Sequence, residues 1–258
     1  MTIHSDYGLA SPMYQGLILS EPGIPLFLGI ECEIEDIKDA TKIPCNLFHQ
    51  TTDGSLRNNG YEFVSVPMTH PVAVDSFKKL HTTLVKGPAA FSQRTSIHVH
   101  ANCSNLQHHE VRNIILTYAL YEEAFFAMVD PVRRDNIHCV PLTETYLPGI
   151  YRRNLNQLID RWHKYTALNI KPLTKYGTLE FRHMHGNDDA VLFEEWTGTI
   201  NNLFSTSLSG APLETVNLTE ELLYEKFMRI FGHTRVAAKW PDIRSRMDNQ
   251  IIDIKLIG

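Results

Sequence analysis

Three glutamates alternate with apolar residues in the stretch Gly29-Ile30-Glu31-Cys32-Glu33-Ile34-Glu35. Successive side chains of a β-strand point to opposite faces, so Glu31, Glu33 and Glu35 would share one face and Ile30, Cys32 and Ile34 the other. Carboxylates two residues apart on one face repel each other. Hard cations with oxygen ligands, Mg²⁺ or Mn²⁺, would relieve that repulsion. Taken alone, the same alternation describes any half-buried strand with a solvated outer face.

The remaining polar strands shift the balance. Tyr61-Glu62-Phe63-Val64-Ser65-Val66 carries Glu62 on a face with Val64 and Val66, which breaks the simple alternation. Thr95-Ser96-Ile97-His98-Val99-His100-Ala101 sets His98 and His100 opposite Ile97 and Val99, and Gly177-Thr178-Leu179-Glu180-Phe181-Arg182 sets Glu180 and Arg182 opposite Leu179 and Phe181. Each group has an ordinary reading of its own: a pair of strand histidines is a weak signal, and Glu180 with Arg182 could be a surface ion pair worth at most ~1 kcal/mol. Together they are too rich in Glu and His for a solvated face, which favours Lys, Thr and Glu. The expectation is a mostly antiparallel sheet with one face under helices and the other lined by carboxylates, imidazoles and a guanidinium.

The elements that must position these groups are legible in part. Residues 1–24, with Gly8, Pro12, Gly16, Pro22 and Gly23, read as an extended N-terminal arm. Pro71 with Phe77, Leu80 and Leu84 marks a helix ending by Gly87-Pro88; Gln107 to Val129 is the clearest amphipathic helix, and Leu155 to Trp162 a shorter one. Leu192, Trp196, Ile200 and Leu203 predict another, and Thr219-Glu220-Glu221 opens one that Gly232 closes. Residues 250–258 read as an apolar C-terminal tail, with Ile251 to Ile257 a strand or docking segment. Asp130 to Tyr151, with Pro131, Pro141, Pro148 and Gly149, is irregular enough for a lid or a plain connection.

Bulk properties narrow the class. With 258 residues and 43% hydrophobic content the chain can build one large domain, taken here as 1–258. A net charge of −5 gives no general basic field for nucleic acid or anionic membrane. Met1 to Ser11 lacks the pattern of an export signal and no apolar run approaches ~20 residues, so a soluble cytoplasmic protein is expected. Cys32, Cys45, Cys103 and Cys139 form no CxxC pair, which fits reduced thiols.

The motifs GIECEIE, DGSL with YEFVSVP, SIHVHAN, KYTALN, and KYGTLEFRHMHGNDD followed by Trp196 resemble, in that order over residues 26–205, the amidoligase family. These are distant relatives of glutamate–cysteine ligase and glutamine synthetase, common in bacteria and their phages. The resemblance implies an α+β fold, a curved antiparallel sheet of glutamine synthetase type, whose concave face binds ATP and two or three Mg²⁺ ions. It implies Glu31 and Glu33 on different metals, Glu62 joining Glu33, and His98 joining Glu31 with Glu180. It also implies Arg182 toward the transferred phosphate, His100 and Lys175 toward the nucleotide, and Tyr165 and Asn169 shaping that pocket. Lys164 stands where Arg is commoner, Ser96 where Gly often precedes the His pair, and Asn187 where a small hydroxyl residue follows Gly186.

The chemistry so implied is amide formation: a carboxylate is activated by the γ-phosphate of ATP as an acyl phosphate, then displaced by an amine. Such a site needs positioning and charge neutralisation above all. It also needs a base for the amine, for which Glu35, Asp53 and His185 are candidates, unranked. The expected partners are small-molecule or peptide acids and amines, with homo-oligomer contacts open. Two other classes stay in view: a metal-dependent hydrolase using the His/Glu cluster, and a non-catalytic binding or structural protein, such as a phage component, retaining the fold.

Overall fold

A computed structural model describes residues 2–9, 26–37, 47–142 and 154–257. Within them the chain runs α1 (Ile3–Tyr7), β1 (Phe27–Ile34), β2 (Phe48–Thr51), β3 (Tyr61–Ser65), β4 (Met68–Thr69), α2 (His70–Leu84), β5 (Ser96–Asn102) and α3 (His108–Met128). It continues with α4 (Leu155–Arg161), β6 (Leu168–Asn169), α5 (Leu173–Tyr176), β7 (Thr178–His185), α6 (Ala190–Leu208), α7 (Glu220–Phe231), α8 (Trp240–Arg244) and α9 (Asp248–Ile257). The fold is α+β, an open sheet with helices packed against it.

The sheet order is β2-β3-β1-β5-β7-β6, with β4 pairing the start of β1, and these named strands pair antiparallel. The glutamate-bearing strand is therefore central. Register sets Glu31 between Val64 and His98, and Glu33 beside Glu62. His100 lies between Gly29 and Glu180, and Asn169 lies across Glu180 from the other side. Cross-strand neighbours on one face have Cβ atoms ~5 Å apart, so the antiparallel register alone gathers side chains from distant segments.

The apolar residues of the same strands face the helices. Ile30, Cys32, Phe63, Ile97, Val99 and Phe181 are buried. Tyr118 and Phe125 of α3 pack on Phe181, Phe125 also meets Trp196 of α6 edge-on at 5.8 Å, and Phe77 of α2 stacks on Phe193 at 4.0 Å. Burying each such ring contributes about 2–3 kcal/mol, so this face holds the polar one rigid.

One irregularity matters to function. Val99 pairs with Phe181 but Ile97 with Met184, so β7 carries one residue more than β5 across this interval. The bulge falls at Arg182 and His183 and re-phases the strand: His183 and Met184 both enter the helix-covered core, and His185 emerges beside Ser96 on the polar face. Arg133 satisfies the carbonyls left at the bulge, its Nε donating to His183 O at 3.0 Å and Nη2 to Arg182 O at 2.6 Å.

Two expectations need correction. The supposed arm begins as a helix: Thr2 caps α1, Ile3 is buried, and backbone bonds to Ser104 and Leu106 dock it. Residues 10–25 of the arm lie outside the described residues. The C-terminal tail is a helix rather than a strand, because Ile251 and Ile254 at helical spacing enter the core. Of the segment considered as a lid, 130–142 is described as tight turns running alongside the sheet, and 143–151 falls outside, as does Cys45.

Candidate active site

Two clusters of potential ligands share the polar face, one for each glutamate at the centre of β1. Glu31, His98 and Glu180 bring one ligand atom each within 4.8 Å of one another, and so do Glu33, Asp53 and Glu62. Glu31 and Glu33 stand two residues apart on the same strand face, so the clusters are neighbours.

In the first, His98 Nδ1 lies 3.1 Å from Glu31 Oε2 and 3.5 Å from Glu180 Oε1. Its other nitrogen, Nε2, meets Ser96 Oγ at 2.9 Å. The Ser96 hydroxyl donates to Glu33 Oε2, so it accepts from His98 Nε2–H, while Nδ1 faces the carboxylates at hydrogen-bond distance from Glu31. Asn169 donates to Glu180 Oε2 at 2.6 Å, and Arg182 pairs with Glu180 Oε1. Arg182 is aimed further by its Nε, which donates to the His138 carbonyl at 3.1 Å.

The second cluster is held from beneath. Glu33 is buried and receives both the backbone N–H and the hydroxyl of Ser96 on Oε2. Asp53 sits on the β2–β3 connection, with Oδ1 accepting from Ser55 N at 2.7 Å. Glu35 lies beyond the end of β1, buried, and its Oε1 accepts from Arg57 N at 2.9 Å. Its geometry is that of a clasp on the loop carrying Asp53, and it does not enter either cluster.

Electrostatics mark the face as short of positive charge. Burial, together with Glu31 and Glu33, pushes the Glu62 carboxyl up to about 7. Burial works against the Glu31 carboxylate too, but hydrogen bonding and charge from His100 and His98 override it and hold its pKa far below the ordinary range. Burial alone would push His100 down; Glu31, 3.2 Å from Nε2, reverses that and raises it. Two carboxylate-rich triads, one containing a single imidazole, fit hard divalent cations such as Mg²⁺ or Mn²⁺, with buried thiols at Cys32 and Cys103 on the opposite face.

The remaining candidates fall into two groups around the basin. Beside Glu31, His100 Nδ1 meets Thr178 Oγ1 at 2.9 Å and its ring meets Tyr176 edge-on; Lys175 Nζ lies 4.6 Å over that tyrosine ring. Beside Arg182, Tyr165 packs edge-on against His138 at 4.7 Å, with Arg182 5.9 Å from its ring. Tyr165 therefore lies beside Arg182. Asn169 acts through Glu180. His185 lines a cavity beside His138.

The chain belongs to the amidoligases. Residues 31–200 match the family described as "Putative amidoligase enzyme", and the match begins at Glu31 and takes in both triads. No curated protein matches the chain. Family membership supports a ligase-type activity for this amidoligase. Among the described residues no helix is long and apolar enough to cross a membrane.

Ser96, Arg133 and the clasp role of Glu35 were not anticipated as site features. Ser96 shares the parity of His98 and His100, so strand alternation already put it on the polar face; Arg133 and Glu35 carry no comparable signal, because their partners are backbone groups distant in sequence, on β7 and on the β2–β3 connection.

Proposed function

We propose that this amidoligase is an ATP-dependent carboxylate–amine ligase acting through an acyl phosphate. The observation that carries the reading is the pair of adjacent ligand triads built on Glu31 and Glu33, with the Arg182 guanidinium next to them. Phosphoryl transfer asks a protein for cations bridging phosphate oxygens and for a fixed guanidinium on the moving group. Glu31, His98 and Glu180 would hold one Mg²⁺, and Glu33, Asp53 and Glu62 a second. These cations would neutralise the triphosphate. His100, with Lys175 and Tyr176 near it, would face the nucleotide, and the acid to be activated would meet the γ-phosphate near Arg182. A donor set dominated by carboxylates favours this reading over a zinc hydrolase, whose sites lean on His and Cys. An ATP-consuming activity also suits the cytoplasmic location expected from sequence.

The test is ADP and phosphate release by the purified protein with Mg²⁺ and mixtures of amino acids or polyamines. Release is expected from the native chain and is expected to vanish in Glu180→Ala and Arg182→Ala at an unchanged melting temperature. If a non-hydrolysable ATP analogue with Mg²⁺ gives no binding heat and ATP survives every candidate acceptor, the chain is a non-catalytic relative.

A further inference from the structure

Next to the Glu33 cluster lies a half-open cavity of about 310 Å³ whose lining includes Val132, Arg133, Asp135, Ile137, His138 and His185. That volume is at the lower end of small-molecule sites. Its walls tie it to the chemistry from two directions. The His138 carbonyl anchors Arg182, and His185 is the cross-strand partner of Ser96, whose N–H and hydroxyl hold Glu33. The cavity therefore adjoins one support of Arg182, the His138 carbonyl, and one support of Glu33, the Ser96 strand position.

We propose that this cavity is the acceptor subsite, taking a primary amine on a short apolar stem, with Asp135 receiving the ammonium and His185 taking its proton. The inference rests on the ligase reading and specifies which substrate goes where. Asp135 is the acidic residue of the lining, and Val132 and Ile137 offer aliphatic surface, 45% and 74% exposed respectively. Of the three bases that the sequence suggests, Glu35 spends an oxygen on Arg57 N, and Asp53 is drawn into the triad with Glu33 and Glu62. His185 remains. Its Nδ1 is buried and has no hydrogen-bond partner among the described residues. Burial pushes its pKa down against the pull of the Asp130 carboxylate, and the Arg133 charge adds to the fall, which favours the proton-accepting form of the ring. The bulge in β7 is what brings this ring to the polar face.

The step balances as follows. The ammonium gives one proton to the His185 imidazole. The freed nitrogen lone pair forms a C–N bond to the acyl-phosphate carbonyl carbon, and the C–O bond to phosphate breaks with its electron pair leaving on phosphate. The second nitrogen proton departs with phosphate as HPO₄²⁻, and His185 returns its proton to solvent.

The experiment compares two nucleophiles on the native chain and on His185→Gln, with a panel of amino-acid carboxylates as donors, ATP and Mg²⁺. Hydroxylamine is a free base at neutral pH and needs no proton acceptor; n-butylamine is cationic and does. The ratio of butylamide to hydroxamate is expected to fall at least ~30-fold in His185→Gln, given the ~10²–10⁴ contribution of a positioned base. An unchanged ratio overturns the role of His185, whether both products fall or neither does. A native chain that yields neither ADP nor hydroxamate overturns the ligase reading instead. The subsite is then judged separately by calorimetric titration of n-butylamine into the native chain and Asp135→Asn: a loss of affinity of ~10-fold or more in the variant supports the subsite, and equal affinity or no native binding overturns it. Matched melting temperatures of the variants exclude misfolding.

Discussion

Ser96 gives both of its donors to one oxygen of Glu33: backbone N–H to Oε2 at 2.6 Å and hydroxyl to Oε2 at 2.7 Å. The other Glu33 oxygen is thereby left for the basin, and the same hydroxyl fixes the ring of His98 at Nε2. One small side chain thus sets the posture of a member of each triad.

Ser96→Ala should keep the backbone bond and lose both hydroxyl contacts. Removing such outer partners of ligands typically costs 10–100-fold in metal affinity, so Mn²⁺ titration should show weakening of that order while the fold loses only ~1–2 kcal/mol. Calorimetry with Mn²⁺ checks the first and urea unfolding the second. Unaltered Mn²⁺ affinity would mean that the serine supports the strand alone.

Mg²⁺ or Mn²⁺ at a hundred times the dissociation constant should stabilise the protein by ~2.7 kcal/mol, through binding to the folded state only. Glu31→Gln and Glu62→Gln should each shrink the shift in melting temperature, and chelator should restore the cation-free value. Thermal melts with and without cation read this out. A shift equally large in both variants would place the binding elsewhere.

Arg182→Lys keeps the charge and loses the planar fork that joins Glu180 and the His138 carbonyl. Turnover should drop by 10²–10³ with the melting temperature within a few degrees of native. Steady-state kinetics beside a melt decides whether shape or mere charge is required.

His81 is buried in α2, its ring tilted against Phe77 at 3.9 Å, and burial pushes its pKa down to about 4. The unfolded chain binds this proton at ~6.5, so stability is full above that value and is lost as pH falls from ~6.5 to about 4, by up to about 3 kcal/mol. His183, also buried and pushed down, acts in the same direction. His81→Leu should flatten the dependence of unfolding free energy on pH in that window. An identical slope would assign the acid lability to other groups.

Gly177 ends α5 at φ 67, and a Cβ there would come 2.4 Å from Ser104 Oγ. Gly177→Ala should cost about 2 kcal/mol from backbone strain and crowding together, seen in urea unfolding. A neutral result would show that the turn relaxes freely.

The sheet face could be read from parity where strands are long. Alternation in 27–34, 96–102 and 178–182 reflects one buried and one polar face, and antiparallel register then brings Glu31, His98 and Glu180 together. The short strands β2, β4 and β6 have no room for a period, so they are set by pairing alone. Asp53 was legible only as a candidate base, because its approach to Glu33 and Glu62 depends on the path of the loop and on the Glu35 clasp. Of strand or docking segment at the C-terminus, Ile251, Ile252 and Ile254 suit a strand locally, but packing of Ile251 and Ile254 into the core makes it a docking helix. The bulge in β7 has no sequence signature, and every assignment beyond Arg182 changes with it.

That single added residue divides two imidazoles, His183 and His185, which an even rhythm would put in the same layer. One is locked against Tyr118 at 2.9 Å inside a ring of aromatic side chains, and the other stands at the mouth of the basin. A one-residue deletion at the kink would consequently restore an even rhythm, keeping His185 opposite Ser96 while leaving room for only one of Arg182 and His183, on the polar side. The length of this strand thus decides which imidazoles the polar face presents.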